Sequence, residues 1–151
     1  MEYNGLWFFG LSGSGKSYSS EYLASKVKNS FIIDGDQVRK FVSFDLGFDI
    51  KSRVTQLNRL LGLSKLTIIN NFFPICSSVY MNEDIQKELS INNIQLIKLE
   101  RNFSDVKKNN PTYLNENNIV GIDINYSEFP HKTIINNGGT KFCKDLDQIL
   151  I

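Results

Sequence analysis

Two short runs of residues in this chain have the types and spacing that chemistry needs. Gly10-Leu11-Ser12-Gly13-Ser14-Gly15-Lys16-Ser17 fits G-x-x-x-x-G-K-[ST] at every fixed position. Glycines let a backbone curl until consecutive N–H groups point inward at phosphate oxygens. A helix starting at Lys16 would add the positive end of its dipole. In that arrangement Gly10, Ser12, Gly13, Ser14, Gly15, Lys16 and Ser17 hold the phosphates of ATP. Lys16 reaches the β- and γ-phosphates, and the Ser17 hydroxyl binds Mg²⁺. The alternative is a Gly/Ser turn that merely fits the spacing, and its place between a buried strand and a helix argues against that. The motif by itself does not separate kinases from switches or motors.

The second run is Asp34-Gly35-Asp36-x-x-Arg39. It lies at the C-terminal end of the second predicted strand, the edge where open α/β sheets bind ligands. Two carboxylates flanking a glycine can face a γ-phosphate, its Mg²⁺ and an acceptor hydroxyl together. A hydroxyl attacking a phosphoryl group needs positioning and a proton acceptor more than it needs to be a strong nucleophile. Asp36, Lys16 and Asp34 are therefore the candidate catalytic residues, with Ser17 and, through water, Asp34 serving the metal. Arg39, one helical turn on, can grip an acceptor's phosphate bidentately. The competing reading is a tight turn with Asp34 as a helix cap. The phosphate motif upstream favours catalysis.

The elements that must position these runs alternate between strand and helix. Leu6-Trp7-Phe8-Phe9 is an apolar run bounded by glycines, the mark of a strand buried on both faces. A helix follows from about Lys16, with Tyr18, Tyr22, Leu23 and Val27 on its apolar side. Phe31-Ile32-Ile33 reads as a second buried strand. From about Ser52, Val54, Leu57, Leu60, Leu61 and Leu66 recur at helical spacing as far as Asn70-Asn71. Phe72 to Val79 predicts a third strand, Glu83 to Leu89 a helix, Ile94 to Leu99 a fourth strand and Thr133-Ile134-Ile135 a fifth. Phe142, Leu146, Ile149 and Leu150 give a terminal helix one apolar face. The stretch from about 101 to 129 is polar and irregular and would form a short lid. The pattern predicts a three-layer α/β fold of the P-loop NTPase kind, with a five-stranded parallel sheet and right-handed crossovers.

At 151 residues the chain is expected to form one kinase domain over 1–151, by the prior of ~100–200 residues per domain. Seventeen Lys+Arg against sixteen Asp+Glu leave a formal net charge of +1. That balance argues against a nucleic-acid polymer as partner but not against one anion in one place. Cys76 and Cys143 are too few for a disulfide framework and lack metal-ligand spacing. With His131 as the single histidine, a His-rich metal site is excluded. Cys76 reads as a core residue of the third strand, His131 as the start of the fifth, and Lys107 and Lys108 as a solvated pair. No apolar run approaches the ~18 residues of a membrane span, and no signal-peptide pattern opens the chain. A reduced, cytoplasmic setting away from membranes is the expectation.

In its ordered set of motifs the chain resembles the adenylylsulfate kinase family, which phosphorylates the ribose 3′-hydroxyl of adenylyl sulfate with MgATP. The carriers are Gly10–Ser17 (the family's GLSGSGK), Asp34-Gly35-Asp36-Gln37-Val38-Arg39 (DGDxxR), and Asp45-Leu46-Gly47-Phe48 followed by Arg53 (LGF…DR). Arg59, Asn118, Gly121-Ile122-Asp123 and Tyr126 (the NFTGIDSPYE stretch) complete it. By matching position, the resemblance implies that Asp36 orients or deprotonates the acceptor hydroxyl while Asp34 supports the metal and its waters. It implies that Arg39 and Arg53 hold the acceptor's 5′-phosphoanhydride and that Phe48 stacks on its base. Core packing is the alternative for Phe48, and a solvated helix face for Arg53. A homodimer is implied by the resemblance alone.

The departures fall mostly on the acceptor side. The family's second base-clamping phenylalanine falls at Ile119, the Asn beside its substrate arginine is Gln56, and the next family Arg is Asn58. Tyr80-Met81-Asn82 replaces Ser-Pro-Tyr, which makes Tyr80 and Asn82 candidate acceptor contacts beside Gln56, Ile119 and Asp123. The lid is shorter, and its Arg-Asp-Pro-Lys becomes Asn109-Asn110-Pro111-Thr112. Kept transfer positions and rebuilt acceptor positions imply the same reaction on a different nucleotide. Losing one aromatic face removes ~1–3 kcal/mol of base stacking, which a small pyrimidine would miss least. The chain is similar to an offshoot of the family, the cytidine diphosphoramidate kinases of capsule phosphoramidate pathways, particularly around Ser77-Ser78-Val79-Tyr80-Met81. Three rivals remain: adenylylsulfate kinase proper, a small-metabolite kinase of the gluconate or shikimate sort, and a non-catalytic nucleotide-binding module. Phe48 and the Gly-Ile-Asp segment oppose the second, and the retained Lys16, Ser17, Asp34 and Asp36 oppose the third.

Overall fold

A computed structural model describes residues 2–108, 110–115, 117–126 and 128–151. Strand β1 (Gly5–Phe9) is buried along its whole length. Its side chains alternate between the two faces of the sheet: Leu6 and Phe8 join one core, Trp7 and Phe9 the other. This period-two division is what a central parallel strand requires. β2 (Ser30–Asp34), β3 (Phe73–Ser78), β4 (Ile94–Glu100) and β5 (Lys132–Ile135) complete a five-stranded, all-parallel sheet in the order β2-β3-β1-β4-β5.

On one face, α3 (Ile50–Ile69) and α4 (Glu83–Ile91) pack Leu57, Leu60, Leu61, Ile85 and Leu89 against Trp7, Ile33 and Leu96. On the other, α1 (Lys16–Ala24) and α7 (Gly139–Asp147) bring Leu23, Phe142 and Leu146 onto Phe8, Ile75 and Ile97. The expected three layers are present. Ile149 and Leu150 also reach that second core, but from the turn beyond α7 and not from the helix itself.

Two parts differ from the sequence expectation. A helix, α2 (Gly35–Phe41), starts directly from Asp34, and its single buried residue is Val38. So short an element with one inward side chain displays no apolar period. The lid region is also more ordered than its polarity suggests. It holds α5 (Phe103–Lys108) and α6 (Thr112–Asn115), and buries Val106, Tyr113 and Ile119 together in a small cluster of its own. Asn109, part of the altered lid pattern, lies outside the described residues. No helix among the described residues is long and apolar enough to cross a membrane.

Candidate active site

The crossover at the middle of the sheet, where β1 is flanked by β3 and β4, leaves a cavity of about 470 Å³ above the strand ends. The loop from β1 to α1 forms its floor. Gly10 and Gly15 adopt φ of +144° and +103°, and a Cβ at either would collide, with the Leu99 carbonyl and the Asn136 amide respectively. Asn136 Nδ2 donates to Ser14 O (2.9 Å), so the end of β5 braces the loop that only glycine can form. Lys16 Nζ lies across the loop, donating to Gly10 O (2.9 Å) and Leu11 O (2.8 Å). Burial lowers the Lys16 pKa to about 8, against the opposing pull of Asp36 and Asp34. Ser14 Oγ is buried without a partner among the described residues. A cationic head and amides gathered in a tight loop form a site built for an anion.

Asp34 joins this floor to α2 by using both of its oxygens. Oδ1 caps the helix, accepting from Asp36 N (3.0 Å) and Gln37 N (3.1 Å). Oδ2 accepts from Ser17 Oγ (3.1 Å) and Ser77 Oγ (3.2 Å). The cap is present, and the same carboxylate also lines the cavity beside Ser17. Asp36 and Arg39, three apart on α2, line the same cavity.

The far wall comes from α3 and the loop before it. Arg59 forks onto both carboxylate oxygens of Asp45, and Asp49 caps α3 through Ser52 N (3.0 Å). Phe48, held between these anchors, is half exposed and lines the cavity, so it is not a core residue. The Arg39 guanidinium stands 4.6 Å from its ring centroid and that of Arg53 5.8 Å. Arg39 donates to Gly47 O (2.7 Å); Arg53 donates to Phe48 O (2.9 Å) and Asn118 O (2.7 Å). Arg53 is therefore not a solvated helix-face residue. Gln56 Nε2 donates to Gly35 O (3.1 Å) from a buried position in the cavity wall, and Tyr80 and Ile119 also line it.

Two candidates stand elsewhere. Asn82 caps α4 through Ile85 N (2.9 Å) and is absent from the cavity lining. Asp123 Oδ2 accepts from Ile119 N (2.9 Å), closing a turn that sets Ile119 in place without lining the cavity itself. Within that turn Gly121 has a φ of +89°, and its missing side chain admits Leu11 of the phosphate loop. Cys76 is buried, and desolvation drives its thiol pKa well above the usual range. His131 stands just before β5, edge-on to Phe9. Lys107 and Lys108 are exposed at the end of α5 and away from the cavity lining.

Several residues that matter here were given no site role from sequence, although Asn110, Thr112 and Ser77 lie in segments already noted as departing from the family pattern. Tyr113 OH donates to Ser12 O (2.9 Å) and Asn110 Nδ2 to Ser12 Oγ (2.8 Å), latching the lid onto the phosphate loop. Tyr18 and Thr112 line the cavity, and Ser77 orients Asp34. Ser77 carried the one readable signal: a small polar residue at the C-terminal end of an apolar strand.

The sequence model of the adenylylsulphate kinase family matches residues 4–111, from β1 into the lid. The chain belongs to the adenylylsulphate kinase family. The chain is 34% identical to an adenylyl-sulfate kinase of Bacteroides thetaiotaomicron over 86 residues, 54% of this chain and 43% of that protein. It is 33% identical to the adenylyl-sulfate kinase of Buchnera aphidicola over 100 residues, 62% of this chain and 47% of the other. The matched stretch thus spans less than half the length of each relative. In three dimensions it resembles the Mycobacterium tuberculosis APS kinase CysC, solved with AMPPNP and APS, with a TM-score of 0.82 at 19% identity. That match covers 97% of this chain and 94% of the other. At so low an identity it shows the shared fold, and the family assignment rests on the sequence match.

Proposed function

We propose that this protein transfers the γ-phosphate of MgATP to the ribose 3′-hydroxyl of a nucleotide 5′-phosphoanhydride, with cytidine diphosphoramidate as the favoured acceptor. The observation that supports this reading is local to one pair of positions: Phe48 offers an aromatic face to the cavity, whereas the aliphatic Ile119 stands where the family has its second base-clamping phenylalanine; Tyr80 and Tyr113 also line the cavity. Without an aromatic partner at that position, the lost stacking costs a small pyrimidine less than a purine. Adenylyl sulfate is the second reading, supported by the family match itself.

Mg²⁺ fits the donors present. No group of three His, Cys, Asp or Glu among the described residues could cage a metal, but Mg²⁺ bound with a nucleotide needs few protein oxygens, its remaining ligands being phosphates and waters. Ser17 Oγ and, through water, Asp34 Oδ2 would hold it. Bound there, it would neutralise charge on the β- and γ-phosphates.

The chain's own groups divide the remaining work. The loop amides and Lys16 hold the phosphates, Lys16 exchanging its carbonyl partners for phosphate oxygens. Arg39 and Arg53, each tied to backbone carbonyls, present fixed guanidinium planes to the acceptor's anhydride. Asp36 orients the 3′-hydroxyl and receives its proton as the new O–P bond forms and the bond from the γ-phosphorus to the bridging oxygen breaks, releasing ADP. The lid latch through Tyr113 and Asn110 closes the cavity over the phosphate loop and keeps water from competing as acceptor.

A parallel assay with adenylyl sulfate and cytidine diphosphoramidate, following ³²P onto the 3′-position, tests the reading. A higher kcat/KM for the cytidine nucleotide is expected; equal or better turnover of adenylyl sulfate overturns the preference.

A further inference from the structure

We infer that Tyr18 is the platform on which the nucleoside of the phosphate donor stacks, a donor-side counterpart to Phe48. Among the described residues two half-exposed aromatic rings line the catalytic cavity, Phe48 at 50% and Tyr18 at 51% exposure. They stand with opposite layers of the fold, Phe48 beside α3 and Tyr18 on α1 next to α7. Tyr18 directly follows Ser17, and its ring centroid lies 6.2 Å from that of Phe142 on α7, with 27° between the planes. Tyr22, one turn on, is nearly parallel to it with centroids 6.1 Å apart. The Tyr18 hydroxyl oxygen is 3.4 Å from Cys143 Sγ. Three neighbours thus fix the attitude of the ring, yet half of its surface stays open. A side chain already held in place loses little freedom when a ligand lies on it, and an open aromatic face offers stacking to any base.

The direction of phosphoryl transfer selects which nucleotide arrives there, a step that rests on the function proposed above. Attacking and leaving oxygens lie roughly in line through the transferred phosphorus. Asp36, Arg39, Phe48 and Arg53 place the attacking hydroxyl on the side of α2 and α3. The leaving ADP must therefore extend the other way, towards α1 and α7. The lining there includes Ser12, Gly13, Gly15 and Tyr18. Two of these carry no side chain, and the Ser12 hydroxyl is held by Asn110 Nδ2 of the lid (2.8 Å). The Tyr18 ring is left as the surface broad enough for a base. Such a contact recognises the π-face of the base and not its edge.

Calorimetric titration of the whole chain with MgATP and with magnesium tripolyphosphate, which has the phosphates without the nucleoside, tests this. Tyr18→Ala should weaken ATP binding by about tenfold, the change expected from one base–aromatic stack, and leave tripolyphosphate affinity unaltered. Tyr18→Phe, which keeps the ring, should bind both ligands as the wild type does. Tyr18 lies outside both cores of the sheet, so its replacement leaves the fold intact. An equal loss for the two ligands in Tyr18→Ala would mean that the side chain serves the phosphate loop, and overturns the inference. ATP affinity that stays at the wild-type value overturns it too, as does a Tyr18→Phe variant as weak as Tyr18→Ala. Neither ligand contains an acceptor, so these outcomes do not depend on which nucleotide is phosphorylated. A wild type that binds neither ligand would overturn the donor site as a whole, and this inference with it.

Discussion

The two sides of the cavity are assembled in different ways. On the proposed phosphate side the groups that would meet the ligand are consecutive, from Gly10 to Ser17, and Lys16 contacts carbonyls only five and six residues away. On the proposed acceptor side Arg39, Phe48, Arg53, Tyr80 and Ile119 come from a helix, a loop, a second helix, the loop after β3 and the lid. Their spacing depends on distant ties such as Arg59 to Asp45 and Arg53 to Asn118. A local device tolerates change elsewhere in the chain, whereas a dispersed one can be rebuilt position by position without touching the transfer chemistry. The departures from the family pattern fall mainly where that reasoning permits them.

Removing the proton acceptor where the two sides meet should have the largest effect. Asp36→Asn is expected to lower kcat by ~10²–10⁴-fold with ATP affinity intact, read by steady-state kinetics beside a nucleotide titration. Full activity would remove Asp36 from the mechanism.

Next comes a pH test that treats the sides differently. Lys16 in the free protein has its pKa lowered to about 8, and phosphate binds its charged form. ATP affinity should therefore fall as pH rises through about 8, approaching a tenfold loss per unit. A bound anion raises that pKa again, so binding just above pH 8 takes up a proton. Calorimetry in two buffers of different ionisation enthalpy measures the uptake, and its absence would contradict the assignment. Acceptor affinity, resting on arginines that stay charged in proteins, should change far less over the same interval.

Restoring an aromatic to the lid should move only the acceptor side. Ile119→Phe is expected to shift the ratio of kcat/KM towards adenylyl sulfate by about tenfold, within the ~1–3 kcal/mol of a base–aromatic stack. An unchanged ratio would mean that Ile119 does not face the base. The smallest effect belongs to Asn82, which the sequence suggested as an acceptor contact. Asn82→Ala should cost ~1 kcal/mol of stability through loss of the α4 cap, visible in denaturant unfolding, with the acceptor KM unchanged. A raised KM would return Asn82 to the site.

The central strands were legible because burial on both faces writes continuous apolar runs, as in Leu6 to Phe9; Phe31-Ile32-Ile33, expected to be buried, belongs instead to the edge strand β2, where a missing neighbour leaves Phe31 exposed. α3 was legible because twenty residues hold several turns of one apolar stripe. α2 was not, since one inward residue makes no period, and its start at Asp34 resembles any Asp-Gly turn. The lid helices escaped for a related reason: Val106, Tyr113 and Ile119 bury one another across two short helices and a turn, a pairing that no local window contains.

By itself, then, the sequence determined the elements whose physics is local: the buried strands, the long amphipathic helix and the glycine-built phosphate loop. It also determined which residues carry charge at the strand ends. Tertiary structure alone decided that Asp34 both caps α2 and faces Ser17, that Phe48 stands open between two arginines, that Asn82 caps α4 away from the cavity, and that Asp123 anchors the Ile119 turn from outside it. These outcomes turn on contacts between residues far apart in the chain, whose partners are set by how the layers pack.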